Sequence, residues 1–478
     1  MMRRRSSEKS PAPTASRTDA PRPLQGWRAR LIKRVFPLWI GAVWMLGCHP
    51  GLALAASQNV APECSIRADG SNPCPVTLLR PATAPLSAMA RLGRDLFNDP
   101  KLSGSGQLSC ASCHVPKAHY APDDDRVFAR GGRTMQAAGV RAVPSLTYRE
   151  RQPPFSVGPD DATSEAAPPA PAQTGPETPR AAKSADNTAA SALALVPQGG
   201  LFWDGRADTL QAQAAGPLFD PREMAATQAD VVQRLRHAPY TNSLMALVGG
   251  SASDDMLVAE ALFALARYQI ESPGFHPYSS RYDAWLEGKA RLTPHEAEGL
   301  ALFNDPEKGN CAACHLSTVD AEGRPPLFTD HQYEALAAPR QKLALPGSVD
   351  LGLCAAGRTD IGAASGYCGF FRTPSLRNSA TRRHFFHNGV FTSLREVMDF
   401  YVLRDIEPAR FYPRNRDGTV ALYDDLPRQY RANVDRNDAP FGPRDKPALT
   451  EAERDRIVDF LNTLTDAPAD GQGRLTPP

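Results

Sequence analysis

Apolar residues recur along this chain at helical spacing. The stretch MLVAEALFALARYQI (256–270) is apolar over most of its length, which predicts a long buried helix. Thr293-Pro294-His295-Glu296 combines a capping threonine, a proline at the first helical position and a glutamate that can reach back, so a helix is expected to start there. Thr450 and Glu453 repeat that signal ahead of Ile457, Phe460, Leu461 and Leu464, which fall on one helix face. Few runs alternate at period two. The fold expected is mainly α.

Two stretches break this pattern. Near the start, Arg28, Arg30, Lys33 and Arg34 precede the apolar run VFPLWIGAVWMLG and then LALAAS, the order of a secretory signal peptide with cleavage near Ala55 or Ala56. His49 and Pro50 interrupt the run before it reaches the ~20 residues of a membrane span. Leu46-Gly47-Cys48 is a weak match to a lipidation site, so a lipid anchor at Cys48 is the minor alternative to a free periplasmic protein. Farther on, residues 156–199 contain no aromatic side chain; too little apolar surface is available to offset ordering entropy, and a disordered surface loop is expected. The aromatic-rich LFWDGR follows directly, so the loop interrupts a domain and does not separate two. The organisation expected is a signal peptide (1–56), a short Cys-containing segment (57–80), two small helical domains (81–278 and 279–470) and a tail (471–478).

Composition refines the picture at two points. A net charge of +2 over 478 residues gives no reason to expect a nucleic-acid partner, and 45 prolines suggest long irregular connections. Of nine cysteines, Cys48 lies in the signal and four belong to a repeated motif, leaving Cys64, Cys74, Cys354 and Cys368. An even set suits disulfides in an oxidising compartment; Cys64–Cys74 with Cys354–Cys368 is the simplest of three pairings, and four free thiols are the alternative.

The repeat carries the chemistry. LFNDPKLSGSGQLSCASCH (96–114) is echoed by LFNDPEKGNCAACH (302–315). Cys-x-x-Cys-His places two thiols against the vinyl groups of a haem and an imidazole against its iron. Cys110, Cys113 and His114 would hold one haem c, and Cys311, Cys314 and His315 a second, with the histidines as iron ligands. Paired Cys-x-x-Cys units also build zinc ribbons, but those halves stand ~15–20 residues apart. Here they are far apart, each ends in histidine, and both follow an export signal.

LFNDPKLS…SCASCH, VPSL (143–146), FWDGRADTLQAQAAGPL (202–218), REM (222–224), GNCAACH, TPSLRN (373–378) and FFHNG (385–389) occur together in the order found in the bacterial di-haem cytochrome c peroxidase/MauG superfamily. The chain resembles that superfamily, and its MauG-like branch in particular, from about residue 80 to 465 outside the loop. The resemblance implies two cytochrome c-like helical domains, each carrying one covalently bound haem, with the haems facing the domain interface. It implies that Trp203 relays electrons between the haems, that Glu223 is the distal acid–base residue, and that Gln213 and Pro217 line the same pocket, with Gln213 a donor to peroxide. Where peroxidases of the family carry a distal histidine, this chain reads DDDRVFARGGRT. His119 stands too close to His114 in sequence to reach the opposite haem face and is expected at the surface or beside a propionate. The first haem is therefore expected to be open.

Alignment from His387 places Tyr401 at the sixth position of the second haem iron, with Met398, one turn earlier, as the alternative. The family's interdomain calcium uses an asparagine that Arg141-Ala142-Val143-Pro144 lacks, and Arg382-Arg383-His384 would oppose a dication. Only main-chain carbonyls remain for calcium. These features lead to a peroxidase that reduces hydrogen peroxide with electrons from a small cytochrome c or cupredoxin. Two alternatives stand beside it: an oxidase that modifies aromatic residues of a protein substrate, and a non-enzymatic electron-transfer cytochrome.

Overall fold

The computed structural model describes residues 66–159 and 195–475, apart from 346, 362–363, 443 and 471–472. The signal segment, Cys48, Cys64 and most of the expected loop lie outside them. Helices dominate. The Ser87 hydroxyl accepts from Ala90 N and caps α1 (Ala88–Phe97), and α2 is the single turn Cys110–Cys113. There follow α3 (Leu210–Phe219), α4 (Gln228–His237), α5 (Thr241–Val248), α6 (Asp254–Glu271) and α7 (Arg281–Leu286). The last three are α8 (Pro294–Asn304), α9 (Leu394–Leu403) and α10 (Glu451–Asn462). The predicted caps at Thr293 and Thr450 both form reciprocal boxes with Glu296 and Glu453.

The helices build two separate cores. In one, Leu92, Leu96 and Phe97 of α1 meet Leu257 and Tyr268 of α6, with Tyr120 and Phe275 stacked at 3.7 Å beside them. In the other, Leu300 and Phe303 of α8 meet Ile457 and Phe460 of α10, with Trp285 and Phe328. Full burial of each such side chain contributes roughly 1.5–3 kcal/mol. Cys110 and Ala111 pack on the first core, Cys311 and Ala312 on the second.

The crossings explain part of the repeat. A Cβ on Gly93 would lie 1.8 Å from the Ala264 carbonyl oxygen, and one on Gly299 would lie 1.9 Å from that of Arg456. Both glycines stand at the same offset before Leu-Phe-Asn-Asp-Pro. The repeated lead-in is thus a helix-crossing device that sets each haem motif on its own core.

Strands are short. Three antiparallel pairs are present among the described residues: Arg130–Gly131 (β1) with Ala137–Ala138 (β2), Ser156–Pro159 (β3) with Leu195–Gln198 (β4), and Tyr333–Glu334 (β5) with Phe371–Arg372 (β6). The second pair corrects the loop boundaries expected at 156–199. Val157 and Val196 supply apolar side chains to these strands, and Val196 is buried, so both ends are paired; residues 160–194 lie outside the description.

Cys354 and Cys368 form the expected disulfide, and Cys74 is disulfide-bonded as well. The chain returns to the first core near its end: Ala469 packs there, and Gly274 N donates to Gly473 O. A buried ionic cluster ties the seam. Arg377 donates to both Asp283 oxygens at 2.7 and 2.9 Å, and its guanidinium lies 5.0 Å from the centroids of both the Tyr148 and Tyr278 rings.

Candidate haem sites

Each motif is a single turn with its histidine locked. The Ser109 and Ser112 side chains cap α2, and His114 follows at its end. His114 Nδ1 lies 3.0 Å from the Tyr120 carbonyl, so Nδ1 carries the proton and Nε2 keeps the lone pair. His315 repeats this against the Phe328 carbonyl at 2.8 Å. Desolvation pulls His114 down to about 4, which keeps the ring neutral and able to ligate. None of the four motif cysteines is in a disulfide, and desolvation raises the Cys110 and Cys311 thiols to about 12.

Glu223 is brought to the first motif by the turn after α3. Glu223 N donates to Asp220 O, Met224 N to Pro217 O, and Gly132 N to Glu223 O, so the turn is clamped from the helix and from the residue that follows β1. Its carboxylate adds to desolvation in pushing the Cys113 thiol up to about 11. The side chain is open to solvent, yet desolvation by the surrounding protein, with Asp220 nearby, raises its pKa against the pull of Arg206.

Gln213 and Pro217 stand four residues apart on α3 and so share a helix face. Pro217 has no N–H to give the Gln213 carbonyl, and the Gln213 amide makes no hydrogen bond within the protein. Trp203 lies at the junction of the two halves: its Nε1 donates to Ala142 O at 2.9 Å, and its own carbonyl accepts from Arg372 N at 2.9 Å.

The second motif faces α9. Desolvation and then the charges of Cys314 and Cys311 raise the Tyr401 hydroxyl, so its ring is close to both thiols. Tyr401 stacks between Phe386 and Phe441, while Met398 is buried in the second core. His119 departs from the surface placement considered for it. It is buried, in a left-handed turn, and desolvation takes it down to about 4.

At the place considered for calcium, Arg382 donates to the Val143 carbonyl at 2.6 Å. Arg383 turns outward to Asp125, and Arg141 is held by Asp204 and Asp350, both at 2.6 Å. Among the described residues no three His, Cys, Asp or Glu side chains converge as a metal-ion site. Sequence reasoning missed the Tyr120 and Phe328 carbonyls, because main-chain acceptors leave no mark in residue type. A cavity of about 770 Å³ beside Trp285 and Asn304 holds none of the candidate residues.

The donor set fits two haem c groups: each motif offers two thiols on one turn and an imidazole fixed in the ligating tautomer. Comparison with known proteins points the same way. A family model for di-haem cytochrome c peroxidases matches residues 87–291. The methylamine utilization protein MauG of Paracoccus denitrificans is 32% identical over 394 residues, which cover 79% of this chain and 89% of that protein. The cytochrome c551 peroxidase of Nitrosomonas europaea is 27% identical, covering 68% of this chain and 76% of its own. Among solved structures, the diheme peroxidase BthA from Burkholderia thailandensis aligns with a TM-score of 0.68 at 34% identity, covering 87% of this chain and 97% of that one.

Proposed function

The chain belongs to the di-haem cytochrome c peroxidase family, and from that premise we propose an exported peroxidase that reduces hydrogen peroxide to water. The balance is H2O2 with two electrons and two protons giving two H2O. Each half, about 81–278 and 279–470, would form a cytochrome c-like domain. Cys110 and Cys113 would bind one haem by thioether bonds, with His114 on its iron, and Cys311, Cys314 and His315 would do the same for the second. When bound, the two haems would supply the redox chemistry for the two-electron reduction.

The observation that carries this reading is Glu223, held by the turn after α3 beside Cys113, with its carboxyl raised by desolvation. Its carboxylate takes the proton from one peroxide oxygen and returns it to the departing one, and a raised pKa eases the return near neutral pH. The Gln213 amide donates to the bound peroxide, and Pro217 fixes the wall on the same helix face. Trp203, bonded to main chain from both halves, links the two sites for electrons from a small cytochrome c or cupredoxin in the periplasm.

A second reading rests on Tyr401, which faces the thiols of the second motif with no hydrogen bond on its hydroxyl. A phenolate ligand favours oxidised iron and suits an oxidase acting on aromatic residues of a protein substrate, with MauG among the relatives. Steady-state turnover of the haem-loaded protein separates the two. Fast peroxide-dependent oxidation of a small cytochrome or cupredoxin supports the peroxidase; negligible turnover contradicts it. Glu223→Gln should lower that turnover by about 10²–10⁴-fold at unchanged haem content. Unchanged turnover would leave Glu223 without its role.

A further inference from the structure

Three arginines between the two halves make no direct ion pair; the charges of Asp330 on Arg372 and of Glu150 on Arg149 act without a bond between them. Arg372 is buried; it donates to Phe202 O, Thr373 O and the Gln152 Oε1 at 3.0 Å. Arg149 donates twice to Ser145 O, and Arg382 to Val143 O. All these acceptors are neutral, and none of the three forms an ion pair. Desolvation, reinforced by Arg372 and Arg382, takes Arg149 down to about 9, and desolvation takes Arg382 to about 10. The Glu150 charge opposes this at Arg149, but its buried carboxylate oxygens make no hydrogen bond. The Gln152 Nε2 donor is also buried without a partner. A buried charge left unpaired is strongly unfavourable, so the site is built for an anion.

Its position identifies the anion. Arg382 and Arg149 bear electrostatically on His114, whereas Cys113 responds to Glu223, Arg126 and Asp124 on its own side. Val143 and Ser145, whose carbonyls Arg382 and Arg149 grip, flank Pro144, which bonds His114 through its main chain, so these two arginines sit beside the first motif. A haem c bound through its vinyl edge to Cys110 and Cys113 presents its two carboxylates at the opposite edge.

We propose that Arg149, Arg372 and Arg382 receive the propionate carboxylates of the first haem, so that guanidinium groups supply the positive charge between the two halves. This rests on the assignment of a haem c to Cys110, Cys113 and His114. Arg382 already covers the Val143 carbonyl, and no divalent cation is needed to balance the propionates.

A pyridine haemochrome assay first counts the haems; fewer than two per chain contradicts the haem assignment itself, whatever the arginines do. With two present, Arg382→Gln and Arg149→Gln should each lower the reduction potential of the first haem and move its propionate bending band in resonance Raman spectra. Arg382→Lys should keep the potential. A haem-loaded glutamine variant with both readouts unmoved overturns the proposal. The wild type gives an independent test if those variants do not load haem. Its band and potential should be indifferent to a chelator and to inorganic phosphate. A change with chelator would assign the charge to a bound cation, a change with phosphate would assign the site to a free anion, and either refutes the proposal.

Discussion

Replacing Arg377 with alanine should cost more than almost any other single change. Its side chain is 1% exposed, as is that of Asp283, and that of Asp466 is 0% exposed. The change removes two bonds to Asp283, one to the Pro326 carbonyl at 2.7 Å, and a cation held against Tyr148 and Tyr278. Asp283 keeps Ser280 as a partner, and Asp466 keeps Tyr148, Asn378 and Ser279, so their hydrogen bonds survive but their counter-charge does not. Breaking a buried pair in this way costs roughly 3–5 kcal/mol. Against a total stability of about 5–15 kcal/mol that is a large share.

The pH dependence gives the sharper signature. In the wild type, desolvation pushes Asp283 up but Arg377 outweighs it and holds the carboxyl low. That contribution is present above the unfolded carboxylate pKa and is lost as pH falls through the depressed folded value. Without Arg377 both carboxyls are raised, and the sign reverses: the variant loses stability as pH rises through their folded values. Denaturant unfolding of holo-protein at pH 5 and pH 7.5 should show the larger deficit at pH 7.5. A deficit below about 1 kcal/mol, or one independent of pH, would refute a charged, desolvated cluster.

Other substitutions probe the crossings and the second site. Gly93→Ala drives a methyl into the Ala264 carbonyl and should destabilise by at least the roughly 1–3 kcal/mol of overpacking, read from thermal unfolding; an unchanged midpoint would remove the close α1–α6 crossing. Tyr401→Phe should change the spectrum of the second haem and raise its potential, while Met398→Leu changes neither; the reverse result would make Met398 the ligand.

Much of the site was legible because its chemistry is local in sequence. Cys-x-x-Cys-His carries the proposed attachment and proximal ligand within five residues, and the caps at Thr293 and Thr450 need only their own first turns. Glu223 and Tyr401 were reached through family resemblance; neither residue's spacing announces a site, and the structure brings each beside a motif through a turn or a helix face. The arginine site was not legible. Arg149, Arg372 and Arg382 are distant in sequence, and what distinguishes them from surface arginines is desolvation and the want of a bonded carboxylate. The ends of the expected loop were misread for a similar reason, since β3 and β4 gain order from pairing with each other across a long separation.

The central claim is that two similar motifs serve unlike irons: the first open to peroxide beside Glu223, the second closed by a side chain from α9. Electron paramagnetic resonance of the as-isolated ferric protein tests this most directly. One high-spin and one low-spin haem, in equal amounts, is the result predicted. Two low-spin haems with no high-spin signal would contradict it.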